Sequence, residues 1–278
     1  MFNKIICPTD FSEEANNAVE YAAKLAQVFT TKLLLLNVHQ LPLVSSVALG
    51  EGISSSARES SAIAAERLKD TCNEVNKMFK VSADYEVDIT TKSLSNALSA
   101  HGEDNTLIVM GTGGVHTLTE FFFGTNTYNV IKKAKCPVLF VPANCSYGTF
   151  KNITYAMAYE EKGRLALRPF RDFIKYFSAN TITFLHISKH DSDLSVDIFK
   201  AENEEIAEYF KDTQGLNFER IWSEDVTDAI GKYVADHNID LLVTAAHHRN
   251  IFESLFNEKP ILSDLSAVPS FPVLVFHE

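Results

Sequence analysis

The fold of this chain is decided by the stretch Ile108-Val-Met-Gly-Thr-Gly-Gly-Val-His-Thr-Leu-Thr-Glu-Phe-Phe-Phe-Gly-Thr125. It begins as a short apolar run, which is typical of a strand buried on both faces of a parallel sheet. Three glycines at 111, 113 and 114 follow this run, and Gly124-Thr125 opens a segment with the period of a helix. Backbone N–H groups at a glycine turn and at a helix start form an anion site. The stretch therefore predicts a strand, an anion-binding loop and a helix, in that order.

The rest of the chain alternates between buried strands and amphipathic helices. Residues 4–9 form the first predicted strand, and the helix that follows has apolar residues at a spacing of 3.6 residues. Asp10 or Ser12 caps that helix. Strands that alternate with helices predict a parallel sheet with right-handed crossovers. Residues 40–58 are rich in Ser and Gly, and we expect a long loop there that could act as a lid.

The second half of the chain repeats the first. Four of the five predicted strands of the first half have counterparts in the second: residues 3–10 with 151–158, 32–38 with 181–187, 106–112 with 240–246, and 136–141 with 271–276. The sequence therefore predicts an α/β protein with two tandem, doubly wound, five-stranded parallel-sheet domains of Rossmann-like type. Their predicted bounds are 1–143 and 150–278.

The glycines of the opening stretch have the spacing Gly-x2-Gly-x9-Gly-(Ser/Thr), placed on Gly111, Gly114, Gly124 and Thr125. This spacing resembles the nucleotide motif of the universal stress protein family, and the resemblance covers the whole chain as a tandem pair. It implies a nucleotide across the carboxyl ends of strands one and four, where open α/β sheets bind ligands. The alternative is two ordinary turns with Thr125 as a helix cap.

The resemblance implies a ligand and its contacts in the first half. The ligand is ATP, or ADP or AMP, with Mg²⁺ held through the phosphates. Gly111 and Gly114 leave room for phosphate, Thr125 adds a hydroxyl, and the Val38 backbone meets the base. Asp10 holds a ribose hydroxyl or the Mg²⁺, or only caps the helix. The predicted nucleotide-binding residues are Pro8, Thr9, Asp10, Val38, Met110, Gly111, Thr112, Gly114, Gly124, Thr125 and Asn126.

The copy of this motif in the second half is degenerate. Asp10, Gly111, Gly114 and Gly124 correspond to Ala158, Ala245, His248 and Glu258. A β-carbon and an imidazole would crowd the phosphates, and the Glu258 carboxylate would repel them. We therefore expect the second domain to be silent for nucleotide.

Several histidines of the second half leave a metal site open as an alternative. His186, His190, His247 and His248 follow strands that end near the second cleft, and imidazole is the commonest zinc ligand. Against it, these residues match no known zinc-binding spacing, and His is common at the strand-two position of the family. The sequence does not decide whether they bind metal.

Charge and composition exclude some classes of function. The net charge of −11 disfavours nucleic acid and anionic membranes as partners, since both need a basic surface. No apolar run approaches the length of a membrane span, and the first residues do not resemble a signal peptide. The four cysteines form no Cys-x-x-Cys pair, which favours buried, reduced thiols. We expect a cytoplasmic protein.

Three functions are compatible with these observations. The favoured one is a regulatory protein of the stress response that binds an adenine nucleotide. An ATP-hydrolysing enzyme is disfavoured, because the chain has no Gly-x4-Gly-Lys-(Ser/Thr) loop, so weak hydrolysis is the most we expect. The third is an interaction module with two vestigial clefts. The resemblance also implies that the two domains pair within the chain through residues 138–141 and 273–276, and it leaves a further homodimer open.

Overall fold

The computed structural model of the chain describes residues 2–40, 50–103, 105–112, 125–157, 166–188, 196–246 and 271–277. Side chains are described over the same ranges except at residues 50–58, 125, 227 and 228. The described residues divide into two compact units on either side of the bond between Tyr147 and Gly148. Within these ranges, no helix combines the length and the apolar character needed to cross a membrane.

The first unit contains one parallel sheet and four helices in its described part. The strands are β1 (Lys4–Pro8), β2 (Lys32–Gln40), β3 (Ser82–Thr90), β4 (Thr106–Gly111) and β5 (Val138–Val141). The helices are α1 (Glu13–Phe29), α2 (Gly50–Phe79), α3 (Leu94–His101) and α4 (Thr125–Lys133). The strand order is β3-β2-β1-β4-β5, and each neighbouring pair is parallel. The order reverses between β1 and β4, which makes this the switch point of the sheet.

The second unit has the same strand order. Its strands are β6 (Asn152–Ala156), β7 (Thr181–Ser188), β8 (Leu216–Trp222), β9 (Leu241–Ala245) and β10 (Val273–Phe276). Its helices are α5 (Leu167–Ile174), α6 (Val196–Tyr209) and α7 (Val226–Asp236). The strands lie in the order β8-β7-β6-β9-β10, again with parallel neighbours. The predicted fold class is therefore confirmed.

Helix α1 shows how the sequence sets the ends of an element. The Ser12 hydroxyl accepts a hydrogen bond from the N–H of Ala15 at 3.2 Å, so Ser12 is the N-cap. Glu13 and Glu14 suit the positive end of the helix dipole. The chain leaves the helix at Thr30, which has a left-handed φ of 52°. The predicted apolar face is buried throughout: Ala15, Ala18, Val19, Ala22, Leu25 and Phe29.

The prediction of a loop over residues 40–58 is wrong at both ends of that range. Strand β2 continues to Gln40, and helix α2 begins at Gly50 and runs for 30 residues. Residues 41–49 lie outside the described part of the chain. Serine is only about 0.5 kcal/mol less favourable than alanine in a helix, so the buried contacts of Ala64 and Leu68 further along α2 outweigh that cost. About half of the predicted loop is therefore strand or helix, and the lid hypothesis stays untested.

The repeat extends to individual backbone hydrogen bonds. In each unit, the last hydrogen bonds between neighbouring strands join residues at corresponding positions. The N–H groups of Thr9 and Met157 donate to Leu36 and Leu185 at 2.9 and 3.0 Å, and those of Thr112 and Ala246 donate to Val141 and Phe276 at 3.1 and 2.8 Å. The two units are thus copies in register as well as in strand order.

An aromatic cluster fills one face of the second sheet. Phe170 of α5 lies at its centre, with its ring centroid 4.9 Å from that of Tyr155 and 5.9 Å from that of Phe210. The rings of Phe184 and Phe276 lie at 6.2 and 6.5 Å. All five side chains are buried. Because rings at these distances contribute beyond their buried area, the cluster holds α5 and α6 against the sheet.

Removal of the central ring should destabilise the second unit. We expect Phe170→Ala to lower the free energy of unfolding by about 3–5 kcal/mol, because the cavity collapses only in part. Trp222 is the one tryptophan of the chain and lies at the end of β8, so its fluorescence during urea unfolding reports on this unit. The control is Tyr176→Ala, which removes a ring that is 43% exposed. Equal urea midpoints for the two variants would contradict the role of the cluster.

Candidate functional site

A cleft of about 490 Å³ lies at the carboxyl ends of β1 and β4 in the first unit. Its floor is the reversal point of the sheet, and the first turn of α1 contributes Glu14 and Ala15 to one side. Leu94 at the start of α3 and Asn126 in the first turn of α4 also line it. This is where an open α/β sheet places a ligand.

Most of the predicted site residues in the described part of the chain meet in this cleft. Thr112 is not among the lining residues, and its N–H is used by the sheet, because it donates to the Val141 carbonyl. Gly114 and Gly124 lie outside the described residues, and the Thr125 side chain is not described. Seven predicted residues line the cleft: Pro8, Thr9, Asp10, Val38, Met110, Gly111 and Asn126.

Sequence reasoning missed further lining residues. Asn37 and Gln40 are polar residues that follow the apolar run 33–36 of strand β2, and both line the cleft. That change from apolar to polar at a strand end is a signal that the sequence contained. Leu94 also lines the cleft, but it carried no signal, because an apolar residue at a helix start is ordinary.

The segment between β1 and α1 is a tightly bonded turn. The Thr9 hydroxyl accepts the N–H of Phe11 at 3.0 Å, and Asp10 Oδ1 accepts the N–H of Ser12 at 3.0 Å. Phe11 has a left-handed φ of 65°, which costs a non-glycine residue about 1–3 kcal/mol. The guanidinium of Arg67 lies 4.1 Å from the centroid of the Phe11 ring and helps to hold it. Ser12 is thus the helix cap, and Asp10 shapes the turn before it.

The Asp10 carboxylate is ionised at neutral pH. Partial burial acts to raise its pKa, but hydrogen bonds from the Ser12 hydroxyl and from the N–H groups of Ser12 and Asp10 outweigh it. The net result is a pKa below the usual value. A fixed anionic oxygen at the rim of the cleft suits a hydroxyl donor or a hard cation.

The two helix starts beside the cleft differ in charge. The first turn of α1 carries Glu13 and Glu14, whereas the first turn of α4 carries no acidic residue. Helix N-termini attract anions, but acidic side chains in the first turn oppose a second negative group. The start of α4, near Asn126, is therefore the end of the cleft that suits phosphates.

Gly111 has a packing role that the sequence did not predict. A Cβ at this position would lie 2.8 Å from the carbonyl oxygen of Glu14 and 3.0 Å from its carbonyl carbon. Both atoms belong to the backbone of α1, which cannot move aside cheaply. The missing side chain thus lets the end of β4 approach α1. The corresponding residue of the second unit, Ala245, is fully buried.

His186 has a structural partner. It lies in β7 with 8% of its surface exposed, and Nδ1 is 3.1 Å from the carbonyl oxygen of Met157. A carbonyl only accepts, so Nδ1 carries the proton. Within the described residues no group of three or more His, Cys, Asp or Glu side chains could hold a metal ion. His190, His247 and His248 lie outside those residues, so their part of the metal hypothesis stays untested.

The repeated sheet order and the cleft at the switch point define a tandem, doubly wound α/β protein. Residues 1–142 match the model of the Universal stress protein family. The chain belongs to the universal stress protein family.

Individual relatives support this assignment. The chain is 30% identical to Universal stress protein MJ0577 of Methanocaldococcus jannaschii over 156 residues, which cover 51% of this chain and 95% of that protein. It is also 30% identical to Universal stress protein MJ0531 of the same organism over 149 residues, 51% of this chain and 82% of that protein. The crystal structure of a universal stress protein from Archaeoglobus fulgidus DSM 4304 covers 99% of this chain and 98% of its own, with a TM-score of 0.74 at 16% identity. That likeness of fold extends over both halves.

The contact at Gly111 can be tested by adding one carbon atom. We expect Gly111→Ala to lower the free energy of unfolding by about 1–3 kcal/mol, because α1 must shift to accept the methyl group. Thermal unfolding followed by circular dichroism measures this. The matched control is Gly148→Ala, where a Cβ would meet no atom within 4 Å. Equal stability of the two variants would contradict the packing role.

The Asp10 carboxylate should stabilise the fold in a pH-dependent manner. Its pKa is lowered in the folded state, so its contribution is complete above the unfolded value of about 3.9 and is lost as the pH falls through the folded pKa. We expect the difference in free energy of unfolding between wild type and Asp10→Asn to be constant from pH 7 to pH 5 and to shrink below pH 4. Urea unfolding at each pH measures this difference, in which the other carboxylates cancel. A difference that grows on acidification would contradict the assignment.

Proposed function

We propose that the first unit binds an adenine nucleotide (ATP, ADP or AMP) in the cleft at β1 and β4, and that the protein is a regulatory nucleotide-binding protein of the stress response. The observation that carries this proposal is the convergence of seven predicted residues, from three strands and a helix start, on one cleft. The family resemblance supplies the class of ligand.

The groups of the cleft fit such a ligand. Its volume of about 490 Å³ falls within the range of small-molecule sites, about 300–1,000 Å³. Val38, Gln40 and Leu94 offer apolar surface and an amide for the base. Asn126 and the start of α4 offer donors without acidic neighbours for the phosphates.

Asp10 fits either of the two roles expected of it. Its Oδ1 accepts the N–H of Ser12, and the residue lines the cleft. An ionised carboxylate oxygen can accept a ribose hydroxyl, or it can bind Mg²⁺ that the phosphates carry. When bound, Mg²⁺ would offset the repulsion between the phosphates and the carboxylates of Asp10 and Glu14, both of which line the cleft.

Binding rather than catalysis is the role we propose. Phosphoryl transfer relies on cations placed on the phosphates and on a group that positions the nucleophile. Among the described residues that line the cleft, the charged side chains are Asp10 and Glu14, and none is a lysine or an arginine. Weak hydrolysis of ATP is the most that we expect from this set.

The second unit is proposed to be silent for nucleotide, because Ala158, His248 and Glu258 replace the acid and two glycines of the first motif. Pairing of the two domains within the chain, and a further homodimer, remain predictions. The competing function is an interaction module that binds no nucleotide. The degenerate second motif favours it, and a nucleotide titration separates it from the regulatory protein.

Calorimetric titration of ATP with Mg²⁺ into the full chain tests the proposal. We expect about one site per chain with a Kd in the micromolar range, a free energy of binding of about −8 kcal/mol. Gly114→Glu should abolish binding, because it places a carboxylate on the phosphate path. Before the titration, a separate sample of the purified protein is denatured, and its supernatant is checked for nucleotide that co-purified.

The matched control is His248→Glu, which introduces the same charge at the corresponding position of the second half. It should leave the affinity and the number of sites unchanged. Two sites in the wild-type chain would show that the second unit is not silent. No binding by nucleotide-free protein would favour the interaction module instead.

A further inference from the structure

We propose that Asn37 is a positioning residue of the nucleotide cleft and that His186 is its exchangeable counterpart in the second unit. Asn37 holds the turn that carries Asp10 by donating a side-chain hydrogen bond to the carbonyl of Thr9. The inference rests on the proposed function, since it assigns a role within the same cleft.

The argument begins where the ladder between β1 and β2 ends. The pairing of these strands runs to Pro8 and Leu36, and the N–H of Thr9 makes a last bond to the Leu36 carbonyl at 2.9 Å. The carbonyl of Thr9 then faces the side chain of Asn37, whose Nδ2 donates to it at 2.8 Å. Thr9 is only 7% exposed, so this carbonyl needs a partner from the protein.

Asn37 provides one of three hydrogen bonds that hold Thr9 in place. The Thr9 N–H is held by Leu36, its hydroxyl accepts from Phe11, and its carbonyl accepts from Asn37. That carbonyl belongs to the peptide unit that joins Thr9 to Asp10. Because a peptide unit is planar, the bond to Asn37 fixes its orientation and with it the start of Asp10. The carboxylate at the rim of the cleft is thereby placed before any ligand arrives.

The second unit makes the same contact with a different side chain. The N–H of Met157 donates to the Leu185 carbonyl at 3.0 Å, which is the last bond between β6 and β7. The carbonyl of Met157 then accepts from Nδ1 of His186 at 3.1 Å. His186 stands where Asn37 stands in the repeat, and Met157 where Thr9 stands.

The comparison of Asn37 with His186 indicates that this position of the repeat requires a side-chain hydrogen-bond donor. An amide Nδ2 and an imidazole Nδ1–H lie at the same distance along their side chains, and both donate to a carbonyl. Alanine at either position cannot donate, and it leaves a buried carbonyl without its partner. In the second unit the residue after Met157 is Ala158, so the bond from His186 has no carboxylate to position.

The test measures ATP–Mg²⁺ affinity by calorimetry for wild type, Asn37→Ala and Asn37→His. We expect about fivefold to tenfold weaker binding for Asn37→Ala, in line with the loss of one hydrogen bond, and wild-type affinity within about threefold for Asn37→His. His186→Ala is the matched control. It removes the corresponding bond from the second unit, so it should lower the melting temperature and leave the Kd unchanged.

A second readout does not depend on nucleotide. The pKa of the Asp10 carboxyl, followed by NMR titration, should rise towards its usual value in Asn37→Ala and stay low in Asn37→His. A raised Asp10 pKa in Asn37→Ala, a low pKa in Asn37→His and the expected affinities would together support the inference. Wild-type affinity and an unchanged Asp10 pKa in Asn37→Ala would overturn it. If wild type binds no ATP, the proposed function fails, whereas the titration of Asp10 still decides whether Asn37 positions the turn.

Discussion

Everything in this fold depends on the burial of the central strands. β1 and β6 are almost fully buried, so each of their backbone polar groups must find a partner inside the protein. The parallel ladders supply those partners along the strands but stop at Thr9 and at Met157. Beyond these points, side chains take over the pairing. The candidate site lies at this boundary, where the ladder of the first unit ends and side chains pair with the backbone.

The sequence predicted the parts of the structure that arise from local periodicity and from the repeat. Continuous apolar runs predict β1, β2 and β4, because a strand that is buried on both faces is apolar throughout. A period of 3.6 residues predicts α1, because only one face of that helix is buried. The parallel sheet with right-handed crossovers followed from the alternation of strands and helices. The resemblance implied a site at the carboxyl ends of strands one and four, in agreement with the general rule for open α/β sheets. This is why residues as distant as Asp10 and Asn126 were expected together.

The parts that sequence reasoning missed depend on contacts between distant segments. Helix α2 extends to Gly50 through a region whose composition favours a loop. Gly111 is small because Glu14 of another element lies against it, not only because a ligand needs space. The polar Asn37 near the end of β2 signals a position at the cleft, but only the contact with Thr9 across the ladder suggests a positioning role for its side chain. None of these contacts leaves a periodic trace in the chain.

The close approach at Gly111 also has a mechanical consequence. Since the backbone of β4 touches the first turn of α1 with no side chain between them, neither element can tilt without displacing the other. The floor of the cleft and its α1 wall are therefore mechanically coupled. A change in the width of the cleft therefore requires movement of the parts that contain Leu94 and Asn126, at the starts of α3 and α4.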